Sequence, residues 1–487
     1  MNRIKVIFIT MVCLLAGVTR LFADQELWAW GNNNFGQLGD STKMGRWVPV
    51  KVHKFAPGDV ITMDGGPRHS LAIRASDSTV WAWGHNDCGQ LGNGTTTESL
   101  EPCSTHLPGG FIEVVGAGVN APCYSLALRA DGTVWAWGYN GEGQFGNNTK
   151  NNSSLPCSTW IDNVVAIAGG ISHALAIKSD STVWAWGRNE YGALGDSSVW
   201  GDSTWFESLK PVQVHNLTNA IEIAAGSEYS AALKDDGTVW SWGDNAYGTL
   251  GIDTMGAGTR VRFPCSTHIF DVIAIDVFFL HTISAKSDGT VWSWGLGIFG
   301  QMGNNSDTTC DKPVQAHILT NATAVTAGHG HSLAIEDSTA WAWGLNNGGQ
   351  LGNNSTVTQK EPVQVHNLIN VTAIGAGREH SYAIGDTFPA AIAIGGKKIT
   401  DPISLAVAPT VGRNSFCIKY SIPKSGFVRL KLYDITGSVK NVLFEKDLRC
   451  GSYSSTLDLS DFSSGIYFLR LEVGNKYAVK KFEVVKI

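Results

Sequence analysis

The element Trp-x-Trp-Gly returns seven times along the chain, beginning at Trp28, Trp81, Trp135, Trp184, Trp240, Trp292 and Trp341, at intervals of 53, 54, 49, 56, 52 and 49 residues. A period of that length describes an array of units that bury their faces against one another, because one unit alone cannot enclose a core. Residues i and i+2 of a strand share a face, so both tryptophans of each unit are expected to pack one side of a sheet. Fourteen of the 18 tryptophans belong to this element, which assigns them to packing and not to a ligand or to light absorption.

Other columns recur in step with it. A Gly-x-x-Gly loop follows each Trp strand, at Gly36, Gly89, Gly143, Gly192, Gly248, Gly300 and Gly349. Its glycines permit positive φ, and no helix pattern or lysine follows to make it a phosphate cradle. A second strand precedes the Trp strand, with one column filled by His69, Tyr124, His173, Tyr229, His281, His331 and His380. Tyrosine at two of these positions suits structural hydrogen bonding and not a shared metal site. Asp-Gly or Asp-Ser pairs such as Asp131-Gly132 and Asp77-Ser78 lie between the two strands as hairpin turns. A third column begins at Pro49, Pro102, Pro156, Pro211, Pro264, Pro313 and Pro362, where Cys103, Cys157 and Cys265 replace valine and read as small buried hydrophobes. The cysteine spacing fits neither a metal site nor a disulfide framework, and leaves open a bridge involving Cys88 or Cys123.

These signals predict an all-β chain: a seven-bladed β-propeller of four-stranded blades, followed by a small C-terminal β-sandwich. The joint order of Gly-x-x-His-Ser, Trp-x-Trp-Gly and Gly-Gln-Leu-Gly resembles the regulator of chromosome condensation repeat family over residues 24–387. The last repeat, "GREHSYAIGDT", lacks its Trp strand, while "DQELWAWG" from Asp24 lacks its His-Ser partner, so the N-terminal strand is expected to close the ring. Residues 1–23 read as a secretory signal peptide cut after Ala23, and the apolar run from Val6 to Val18 is too short to span a bilayer. Residues 388–402 read as a linker. Residues 403–487, with "SSGIYFLRLEVGNKYAVKKFEVVKI" at the end, resemble the type A sorting domain of the type IX secretion system, and about seven strands are expected there.

Charge narrows the function. Loss of Arg3, Lys5 and Arg20 with the signal takes the formal charge from −6 to −9, and the excess of basic residues after 388 leaves residues 24–387 at −16. That surface has no footprint for nucleic acid. The resemblance implies nucleotide exchange on a small GTPase, chromatin binding, ultraviolet sensing or β-lactamase inhibition, as in different members. The ultraviolet sensor's Gly-Trp-Arg-His-Thr motif is absent, and an exported acidic chain suits the first two poorly. The reading is a secreted or surface-attached, monomeric, non-catalytic protein without cofactor or metal, with no transmembrane segment in the mature chain. Its propeller would bind a protein or polysaccharide, and its tail would meet the secretion machinery. A guanine-nucleotide-exchange-type regulator and a secreted enzyme with an unrecognised site are the alternatives. The candidate partner-binding residues are Trp200, Trp205 and Phe206, because the span from Gly195 to Pro211 is 16 residues where five repeats have 10, and Gly251 to Pro264 is 13.

Overall fold

The computed structural model describes residues 25–387, apart from 120–121, 197–205 and 257–258, and residues 404–484 apart from short stretches between strands. The expected signal peptide and linker lie outside the described residues. Seven four-stranded antiparallel sheets form the propeller. In the first blade the inner strand is Val60–Gly65, the second His69–Arg74, the third, bearing the Trp pair, Val80–Gly84, and the outer Ser99–Ser104. Five more blades repeat that order. The seventh takes its inner strands, Leu368–Ala376 and His380–Thr387, from the end of the array and its outer two, Glu26–Gly31 and Arg46–Lys51, from the N-terminus. Trp28 pairs with Ala383 and Trp30 with Ser381, the register in which Trp81 meets Ala72 and Trp83 meets Ser70. The ring is thus closed by ladder hydrogen bonds, which removes two open edges.

The two tryptophans of each unit divide their work. The second of each pair, Trp30, Trp83, Trp137, Trp186, Trp242, Trp294 and Trp343, is fully buried. The first is only half-buried, which corrects the expectation of two equivalent core residues. At Trp81, Trp184, Trp240, Trp292 and Trp341 its indole N–H donates to a threonine of the hairpin turn, at 3.0–3.1 Å. A cation lies over the ring of four of them, from Arg74, Lys178, Lys234 and Lys286. The hairpin aspartates act as turn residues: Asp131, for example, accepts from the amide and hydroxyl of Thr133. The column cysteines lie on outer strands and are half-buried, not fully so, and Cys103 and Cys265 turn their thiols onto the carbonyls of Ala82 and Ser241 at 3.1 and 3.2 Å.

Six of the seven blades are tied to the next by the His/Tyr column. His69, His173, His281 and His331 meet Ser125, Ser230, Ser332 and Ser381 of the following blade through Nε2, at 2.9–3.1 Å. Tyr124 donates to the His173 carbonyl at 2.6 Å, and Tyr229 meets Thr282 at 3.1 Å. At the closing junction Tyr382 bonds Ser70 and also donates to the Gln37 carbonyl. Four inner-strand carboxylates add a second tie. The Gly116, Ile167, Ile275 and Ala327 amides, each on the next blade, donate to Asp64, Glu113, Glu222 and Asp276 at 2.8–3.1 Å.

Residues 404–484 form a unit of their own, with eight strands in a three-stranded and a five-stranded sheet instead of about seven. Phe416, Ile418 and Tyr420 of the smaller sheet share one core with Leu430, Leu432, Leu469 and Leu471 of the larger, which makes the pair a sandwich. The edge strand Val439–Leu448 carries Lys440, Glu445, Lys446 and Asp447, charges that oppose edge-to-edge pairing.

Two predictions follow from the closure and the ties. Trp30→Ala should cost about 4 kcal/mol in denaturant unfolding, the same as expected for Trp83→Ala, since both rings are wholly enclosed; a clearly smaller loss at Trp30 would mean an unformed closure. The pH dependence has two opposed arms. Burial lowers the five column histidines from 6.5 to about 3–4, so the unfolded chain binds more protons below pH 6.5 and stability falls as pH drops. Burial raises Asp64 to about 7 and Glu113 and Glu222 to about 8, so the folded chain binds more protons from about pH 4.5 upward and stability falls as pH rises towards 8. The two arms oppose each other, and burial of Asp276 and Glu228, which raises both carboxyls, adds to the alkaline one. The double variant Glu113→Gln, Glu222→Gln should flatten the alkaline arm of a plot of Tm against pH and leave the acid arm.

Candidate functional site

The loop that follows each Trp strand is built on an asparagine two residues after its glycine, a column the sequence reading missed. The Asn86 carbonyl oxygen accepts from the Leu91 amide at 2.9 Å, and its amide donates to the carbonyls of Thr95 and Thr97 at 3.0 and 2.9 Å. Asn33, Asn140 and Asn346 repeat the pattern. The signal was present as Gly-x-Asn in six of the seven repeats, with Gly297 in the exception. This scaffold holds the base of six of the seven loops, those of the third and fourth blades among them, so inserted residues project from the same face.

The two lengthened loops belong to the neighbouring third and fourth blades, whose third strands are Val183–Arg188 and Val239–Asp244. The Phe206 carbonyl accepts from Asn189 at 2.5 Å, and the Thr259 carbonyl from Asn245 at 2.9 Å, so each insertion returns to its own asparagine corner. Phe206 is 60% exposed, and Tyr247 and Met255 of the next blade are exposed as well. Trp200 and Trp205 lie outside the described residues. Of the three predicted residues, the structure therefore places Phe206, at the foot of the longer loop.

Charged groups bridge the two blades beneath these loops. Arg188 pairs with Glu190 and, at 3.5 Å, with Glu228 of the fourth blade. The Arg260 guanidinium stacks 4.4 Å over the Tyr191 ring and donates to the Glu190 carbonyl at 3.4 Å. Burial pushes Glu228 up to about 7; Arg188 opposes this, while Glu190, Asp244 and Glu142 reinforce it. Two arginines, Arg188 and Arg260, among four carboxylates leave the patch acidic, flanked by Tyr191, Phe206 and Tyr247. Such a surface can take up cationic groups and stack flat or apolar ones. Across the ring, on the face of the hairpin turns, Ile61, Ile273, Thr323 and Thr372 line a cavity of about 860 Å³. Among the described residues no three His, Cys, Asp or Glu side chains come together as a metal site.

Comparison with known proteins fits this geometry. Residues 26–383 match the RCC1-like domain, and residues 409–485 match the secretion system C-terminal sorting domain. The chain is 29% identical over 287 residues to the ultraviolet-B receptor UVR8 of Arabidopsis thaliana, covering 57% of this chain and 62% of the receptor. It is 29% identical over 318 residues to the human E3 ubiquitin-protein ligase HERC2, covering 62% of this chain and 6% of that protein. With the mouse secretion-regulating guanine nucleotide exchange factor it shares 27% identity, over 63% of this chain and 72% of the factor. Two solved structures, Prp20p of Saccharomyces cerevisiae and human WBSCR16, superpose with TM-scores of 0.65 and 0.64 at 22% identity, covering 75% of this chain and 92% and 99% of theirs. That likeness concerns the fold. The sorting domain implies an exported protein that the secretion machinery handles. The chain belongs to the RCC1-like repeat family, as a propeller joined to a secretion-system C-terminal sorting domain.

Proposed function

We propose that the protein is an exported, non-catalytic binding protein whose propeller recognises a protein or polysaccharide partner outside the cell or at its surface, through the face that carries the long loops of the third and fourth blades. The observation that carries this reading is the pairing of the two insertions. The fold repeats a 10-residue span in five blades and departs from it in two adjacent ones, on one face, where it also spends exposed aromatics. Insertions that packing does not require are where recognition resides on a rigid scaffold. The acidic patch at Glu190 and Glu228 favours a partner that presents basic groups beside a stacking surface. Nucleotide exchange, named for the mouse relative, is less well supported, because a chain that leaves the cell does not meet a cytosolic GTPase.

The test is binding of the purified mature chain to fractionated envelope proteins and polysaccharides of its host, followed by biolayer interferometry. The triple variant Trp200→Ala, Trp205→Ala, Phe206→Ala should lose binding at least ~10-fold, with Tm within about 2 °C of the parent. Unchanged binding would remove this face from consideration, and a large fall in Tm would reassign the aromatics to packing.

A further inference from the structure

At three blade junctions the residue before the first glycine of the Gly-x-x-Gly loop faces the residue before the His/Tyr column of the next blade. At the closing junction these are Phe35 and Arg68, whose guanidinium lies 4.8 Å from the ring centroid. Between the fifth and sixth blades they are Phe299 and Gly330, where a Cβ on the glycine would stand 2.8 Å from the Phe299 ring. Between the first and second blades the same two columns hold Cys88 and Cys123. The Cys123 amide donates to the Cys88 sulfur, which brings the two residues into direct contact. Cys88 is half-buried and Cys123 buried, and both are thiols here.

We propose that Cys88 and Cys123 are a disulfide site that links the first and second blades once the chain reaches an oxidising compartment. Three features support the pair. The repeat geometry juxtaposes the two columns at the Phe35–Arg68 and Phe299–Gly330 junctions as well, both positions are cysteine at this one junction, and the sorting domain sends the chain to where disulfides persist. The remaining thiols are placed differently: Cys103, Cys157, Cys265 and Cys310 sit on outer strands, and Cys417 and Cys450 in the C-terminal unit.

The chemistry is thiol–disulfide exchange with an external disulfide such as oxidised glutathione. The more accessible Cys88 thiolate attacks one sulfur of the oxidant, whose other sulfur leaves as a thiolate. Cys123 then attacks the Cys88 sulfur and expels the second glutathione. Two protein thiols give up two electrons and two protons, and one oxidant disulfide becomes two thiols. Burial and the neighbouring Asp87 carboxylate hold the Cys88 thiol above its ordinary value, and burial does the same to Cys123, so the reaction should quicken as pH rises above neutrality. The bridge closes a loop of intermediate length between two blades, a constraint on the unfolded chain.

To test this, the full mature chain is incubated with oxidised glutathione at pH 8, alkylated and mapped by mass spectrometry without reduction. The expected product is a Cys88–Cys123 linked peptide, two fewer alkylated thiols than in the reduced chain, and a Tm higher by about 5 °C. Cys88→Ser, at a half-exposed position that leaves the core intact, should abolish all three. The proposal is overturned if wild-type Cys88 stops at the glutathione adduct, if the linked peptide joins other cysteines, or if Cys88→Ser shows the same rise in Tm.

Discussion

One backbone carbonyl in each Gly-x-x-Gly loop joins that loop to the blade that follows. The carbonyls of Gln37, Gln90, Gln144, Ala193, Thr249, Gln301 and Gln350 accept the indole N–H of the next blade's second tryptophan at 2.7–3.0 Å. The Ser/Thr of the second strand adds its hydroxyl to the same oxygen at six of these junctions, at 2.7–3.3 Å. A carbonyl enclosed this way has to be satisfied, so loop, tryptophan and serine specify one another. The last glycine of each loop follows from the same contact. Gly92 adopts φ +65°, and a Cβ there would stand 2.9 Å from the Trp137 indole nitrogen.

That arrangement separates the residues that make the ring from those left for recognition. The columns spend their side chains between blades, and the His–Ser ties keep their imidazoles uncharged, with Nε2 bonded and the ring buried. Loop tips beyond the asparagine corner carry no such duty. Lengthening two adjacent loops therefore changes one face without touching a junction, and the acidic patch formed by Glu190, Glu228 and Asp244 lies under that change. Closure by the N-terminal strands also fixes the first residues of the array in the seventh blade, away from this face's two long loops.

Periodicity made the architecture legible. Trp pairs, Gly-x-x-Gly loops and hairpin aspartates recur in every or nearly every unit, and the incomplete first and last repeats announced the closure. Features without a full column were harder to read. The carboxylates Asp64, Glu113, Glu222 and Asp276 occur at only four junctions and at two different strand positions, so their role depends on which amide the next blade presents. The closing junction conceals an exchange: Tyr382 occupies Ser70, and neither ring nitrogen of His380 has a hydrogen-bond partner among the described residues. Even the first tryptophans, alike in sequence to the second, differ in burial because the first lies beside the hairpin turn whereas the preceding blade's Gly-x-x-Gly loop covers the second. Of the candidate site, loop length and aromatic content were visible, whereas the Arg188–Glu228 bridge joins residues of neighbouring repeats that belong to no shared column, and needed coordinates.

The third blade offers an internal control on the central contact. It has Ala174 where most blades have serine, so among the described residues Trp186 alone donates to the Gln144 carbonyl, whereas the Gln90 carbonyl receives both Trp137 and Ser125. Denaturant unfolding of Trp186→Phe and Trp137→Phe compares the same loss of ring volume with and without a remaining donor. If the shared carbonyl governs blade stacking, Trp186→Phe should be the more destabilising by about 1–2 kcal/mol, because it alone leaves a buried carbonyl unsatisfied. Equal losses at the two positions would contradict that account and reduce the tryptophans to packing volume.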